Sequence, residues 1–128
     1  MKKNFQLSNK RLRNAGKVNN KAKELFLTRK GNCAESVASA WEIKSGENVS
    51  EDFTSCGSGR APEGLCGALH AACIIAGEKA ETLRKKFSLF SGGHVRCRDI
   101  RLAGKIKCAE CVFHAAELLE QNVLNERK

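Results

Sequence analysis

Apolar side chains recur three and four residues apart along most of this 128-residue chain, and only one proline, Pro62, interrupts them. No stretch alternates apolar with polar residues in the way a half-buried strand does. A chain patterned like this is confined to helices. The fold class it predicts is all-α, a single compact domain of about five helices around a buried central helix at about residues 65–76. At this length a core forms without disulfide staples, which smaller chains need.

The helices are delimited by their own signals. Val18, Ala22, Leu25 and Phe26 fall at helical spacing, and the pattern stops before Gly31. Asn32 is placed to cap a second helix starting at Cys33, with Glu35 as the reciprocal partner of a capping box. That helix is predicted to end near Ser45-Gly46 and to turn Cys33, Val37, Ala40 and Trp41 inward. Residues 51–63 read as a glycine-rich loop containing Cys56-Gly57-Ser58-Gly59, and Pro62 suits the first turn of the helix that follows. From 65 to 76 almost every side is apolar or small, as in a helix buried all round. A fourth helix, about 78–90, buries Leu83, Phe87 and Phe90 and stops at Gly92-Gly93. After a short segment around Cys97, a last helix over 106–123 presents Cys108, Val112, Ala115, Ala116, Leu119 and Val123 on one face.

The net charge of +9 is concentrated at one end. Eight basic residues precede the first acid, Glu24, and the remainder of the chain, 15 basic against 14 acidic, carries +1. Residues 1–21 are therefore assigned to a basic N-terminal arm and 22–128 to a cysteine-rich helical domain. The arm can reach nucleic acid phosphates, but it has no interleaved aromatic residues to stack on bases, so a solvated tail is the favoured reading. No secretory signal and no apolar run long enough to span a bilayer is present, which leads us to expect a cytoplasmic protein without a membrane span.

In a reducing compartment, seven cysteines point to metal binding or catalysis before structural disulfides. Cys108 and Cys111 form a C-x-x-C pair three residues apart on the last helix, close enough to share a metal ion, with Cys111 as a possible ligand, or to close a disulfide, but without the histidine of a c-type haem site. In helical phase Cys108 lies on the apolar stripe and Cys111 to its side, so Cys111 is expected to be peripheral. Cys66, His70 and Cys73 stack at i, i+4 and i+7 on the central helix and form a possible ligand stripe. Cys33 and Cys66 sit at helix starts, where free N–H groups favour thiolate. The competing reading of a helical cysteine is a small buried hydrophobe, and it is preferred for Cys56, Cys73 and Cys111. His70 is read as a packed core residue ahead of a ligand, and His94 and His114 as surface or cap residues. Phosphate-binding loops, nucleophile elbows and zinc-protease motifs are absent from the sequence.

The order Asn32-Cys33-Ala34-Glu35-Ser36-Val37, Gly57-Ser58-Gly59, Cys66-Gly67-Ala68-Leu69, then Cys97 and Cys108, resembles the redox-active protein family named for its C-GCAxxG-C-C pattern. The resemblance covers about residues 22–121. It implies a small helical protein for electron transfer or thiol redox chemistry, with Cys33, Cys66, Cys97 and Cys108 as catalytic, cofactor-binding and metal-ligating residues. Ala71 stands where the pattern has its second glycine, and Cys56, Cys73 and Cys111 are additional thiols. The cofactor expected on this basis is an iron–sulfur cluster of the 2Fe–2S type, with zinc or no metal as alternatives. Without metal, the same residues would act as a dithiol–disulfide carrier with a redox partner as yet unnamed. The reading from a different class is a structural zinc domain whose basic arm does the binding.

Overall fold

The computed structural model describes residues 17–57 and 59–124. Six α-helices are present among them: α1 Val18–Leu27, α2 Cys33–Ser45, α3 Gly67–Ala76, α4 Ala80–Phe90, α5 Cys97–Ala103 and α6 Cys108–Leu119. Five of these have ten residues or more, and α5 is a seven-residue helix in the segment around Cys97. No strand occurs among the described residues; a single antiparallel bridge joins Leu65 to Arg96. The all-α expectation holds.

Helix boundaries follow their caps. In α2 the Asn32 side chain accepts from the Glu35 amide at 2.8 Å, and the Glu35 carboxylate accepts from the Asn32 amide at 3.0 Å, completing the capping box. At its other end Gly46 takes the left-handed conformation (φ 78°), which a side chain would strain. Pro62 differs from expectation: it opens a separate 3₁₀ turn, Pro62–Gly64, and α3 begins only after Leu65 and Cys66. The last helix starts at Cys108 rather than 106 and ends in a π-turn, Glu120–Leu124.

Helix α6 packs against α1, α2, α3 and α4, while α3 packs against α2, α4 and α6. The two share the centre. The N-terminal half of α3 is buried on nearly all sides, whereas Ile74 in its second half is exposed. Trp41, Phe87, Leu69, Leu83, Leu119 and Val112 fill the core, and fully buried alanines on α2, α3 and α6 let these helices approach closely. Each buried large apolar side chain contributes about 1.5–3 kcal/mol to this packing.

Helix α1 begins inside the segment assigned to the basic arm. Val18 and Asn19 are buried, and the Val18 amide donates to Glu120 Oε1 at 3.0 Å. Residues 1–16, which hold the rest of the arm, lie outside the described residues.

Candidate functional site

Four helices begin with cysteine, or next to it, at one place. Cys33 is the first residue of α2, Cys66 the N-cap of α3, Cys97 the first residue of α5 and Cys108 the first of α6. The geometry that assembles them is local. The Cys66 amide donates to the Val95 carbonyl at 2.8 Å beside the Leu65–Arg96 bridge, which ties the approach to α5 to the start of α3. The Asn32 Nδ2 group donates to the carbonyls of Phe53 and Thr54 at 2.9 and 3.2 Å, fixing the loop before Cys56 against the start of α2.

The result is a cavity of about 240 Å³ lined by Cys33, Cys66, Cys97, Cys108 and Cys111, with Phe26, Ile100 and Ile106 supplying apolar wall. Gly67 shows how closely α2 and α3 meet there. A Cβ at this position would lie 2.5 Å from Cys33 Sγ and 2.7 Å from the Cys56 carbonyl oxygen. Glycine after Cys66 is thus required by the sulfur of Cys33.

Cys111 corrects the sequence reading. Expected at the periphery, it is buried, lines the cavity and hydrogen-bonds the Cys66 thiol. Cys108, expected on the inward stripe, is exposed at the cavity mouth. The inner face of α6 is broad and includes Cys111, Val112, Ala115, Ala116, Leu118 and Leu119. Centring the stripe on Cys111, Ala115 and Leu118 at i, i+4 and i+7 would have found the fifth thiol.

The other candidates lie elsewhere. His70 meets Phe53 edge-on at 5.8 Å between ring centroids, and the Cys73 thiol points to the Ala80 carbonyl at 3.7 Å. Neither lines the cavity, so the Cys66, His70, Cys73 stripe is not gathered there. Cys56 is buried and presents its backbone carbonyl toward Gly67. His114 stacks on Phe90 at 3.8 Å and pairs with Glu117 at 3.3 Å.

The thiols of Cys33, Cys66 and Cys108 are pushed toward their neutral form. Burial pushes the Cys33 thiol up to about 12, with a further upward contribution from Cys66 and a smaller opposing one from the Ala34 amide. The Cys66 thiol lies well above its ordinary range, chiefly through its hydrogen bond to Cys111 and then through burial, against the downward pull of the Leu69 and Ala68 amides. Burial also raises Cys108, with Cys97 and Cys66 adding to it and Arg101 acting the other way. The helix-start amides are present as expected, but they do not make low-pKa thiolates: desolvation and crowding of like groups outweigh them.

As donors, five thiols suit soft or borderline metals. Among the described residues, no three His, Cys, Asp or Glu side chains stand close enough to hold one metal ion. All seven cysteines are free. Ligand sulfurs at the usual Zn–S length of about 2.3 Å would stand roughly 3.8 Å apart, so the thiols on these walls would have to turn inward to enclose a single ion. No helix among the described residues is long and apolar enough to cross a membrane. Comparison of the chain with protein-family models, with curated proteins and with solved structures finds no match.

Proposed function

We propose that this is an electron-handling redox protein whose centre is formed by Cys33, Cys66, Cys97 and Cys108, with a thiolate-held iron–sulfur cluster of the 2Fe–2S type as the working group. The observation that carries this reading is the convergence of these four residues, each at a helix start, on one apolar-walled cavity. The motif that led to the family resemblance points to the same four residues. Bound there, such a cluster would supply a reversible electron.

The protein's own contribution would be to gather the thiols, shield them with Phe26, Ile100 and Ile106, and surrender their protons as metal binds. The neutral state of Cys33 and Cys66 favours this over metal-free exchange. A thiol that attacks disulfides works best with a pKa near ambient pH, and these two are far above it.

The test is anaerobic purification followed by visible spectroscopy and analysis for iron, acid-labile sulfide and zinc. Iron with sulfide and visible absorbance, lost in Cys66→Ser, is the expected result. Zinc in a colourless protein would replace the redox reading with the structural one. Thiols that neither bind metal nor oxidise under a disulfide challenge would end both.

A further inference from the structure

A second cavity, of about 330 Å³, shares Cys97 and Arg101 with the first and is lined by Gly59, Glu63, Gly64, Arg96, Cys97, Arg98 and Arg101. We propose that this cavity binds a small polyvalent anion, its phosphoryl or carboxylate oxygens held by Arg98 and Arg101 with Arg96 at the rim. The proposal goes beyond the redox reading and holds whether the neighbouring thiols carry metal, a disulfide or neither.

Three features of the site support it. Arg98 and Arg101 are three residues apart on α5, so they rise from the same helix face. Both are exposed, as is Arg96, and among the described residues none of the three is held in an ion pair. Among the described residues the only acid on the walls is Glu63, whose carboxylate lies 3.9 Å from Arg84, so the lining carries a net positive charge. The guanidinium fork matches the paired oxygens of phosphate and carboxylate, which a lysine meets only as a point charge.

The space is suitable as well. At roughly 30 Å³ per water the cavity equals about ten waters, and it falls at the lower end of the range of small-molecule sites. The wall formed by Gly59 and Gly64, which have no side chains, leaves it open. Cys97 and Arg101 line both cavities, so an anion held here would sit against the wall of the thiol centre. The arginines thus line a concave surface that shares Cys97 and Arg101 with the thiol cavity.

The experiment is calorimetric titration of the full chain with inorganic phosphate and, separately, with citrate, in low-salt buffer with chloride-matched controls. Saturable one-to-one binding of at least one probe is expected. A preference for phosphate would identify a phosphoryl ligand, and a preference for citrate a carboxylate one. In Arg98→Gln/Arg101→Gln the affinity is expected to fall about tenfold or more, from the loss of charge-assisted hydrogen bonds. An unchanged melting temperature will show that this variant is folded. Arg98→Lys/Arg101→Lys should recover part of the affinity, and Glu63→Gln should tighten binding by removing a like charge from the wall. Binding of neither probe, or undiminished binding in the double glutamine variant, which would assign the anion to the basic arm, would overturn the proposal.

Discussion

A hydrogen atom at position 67 is what allows the sulfur of Cys33 to reach the cavity. Gly67→Ala would drive a methyl group to 2.5 Å from Cys33 Sγ and 2.7 Å from the Cys56 carbonyl. One of these atoms is backbone and resists displacement, so the thiol or the whole start of α2 has to move. We expect a loss of about 1–3 kcal/mol in a urea melt and, if the proposed centre holds metal, a lower metal content in protein purified anaerobically. Unchanged metal content with an unchanged urea midpoint would show that α2 and α3 are not packed this closely. Single cysteines should differ by position in the same assay. Cys66→Ser removes a thiol that lines the cavity and bonds Cys111, and is expected to abolish metal binding. Cys73→Ala removes a half-buried thiol outside the cavity and should leave metal content intact at a modest packing loss. At this scale the sequence was informative about cysteines at helix starts, because capping residues and glycines reveal where helices begin. It was less so for Cys111, whose inward position depends on how wide a face α6 buries, and that is decided by the four helices packed on it.

At the scale of elements, Asn32 has two roles that can be separated. Its side-chain oxygen caps α2 and its side-chain nitrogen holds the 53–54 carbonyls. Asn32→Ala loses both, and is expected to lower stability by about 1–2 kcal/mol and to speed alkylation of Cys33 in the metal-free protein. Asn32→Asp keeps the cap and loses the donor, so it should recover the stability of the helix without restoring the loop. An aspartate variant that behaves like wild type in alkylation would show that the loop contact does not position Cys33. The capping box and Gly46 made α2 legible to within a residue, since both are local backbone chemistry. In the sequence, α5 shows only as a short segment around Cys97. Its seven residues span less than two turns, too few for periodicity to register, and it is held by the Leu65–Arg96 bridge, a contact distant in sequence. Pro62 suits the first turn of a helix, which from sequence alone points to the start of α3. The turn Pro62–Gly64 satisfies that preference by itself, with Glu63 in a left-handed conformation (φ 61°) that prevents a continuous helix.

For the molecule as a whole, crowding several thiols at the meeting of four helices makes folding sensitive to alkali. Cys33 ionises in the unfolded chain near its ordinary 9.0 and in the folded protein only at about 12. Between those values the unfolded chain has released a proton that the folded one retains. Raising the pH therefore favours unfolding. The stability associated with the neutral thiol is fully present below pH 9 and is lost as the pH rises through this window; Cys66 and Cys108, also raised, shift in the same direction. The urea midpoint of reduced, metal-free protein is expected to hold steady from about pH 7 to about pH 8.5 and then to fall. The informative comparison is with Cys33→Ala, whose midpoint should be lower at neutral pH through lost packing but should decline less steeply above pH 9. The proposed metal binding would work in the opposite sense on the same groups. Because each coordinating thiol must give up its proton, affinity should rise with pH, and titration of metal into weakly buffered protein should acidify it. Parallel alkaline slopes for wild type and Cys33→Ala, together with metal uptake that releases no protons, would show that the thiols are already ionised, and that the folded protein holds a preformed anionic site instead of a neutral one that metal binding deprotonates.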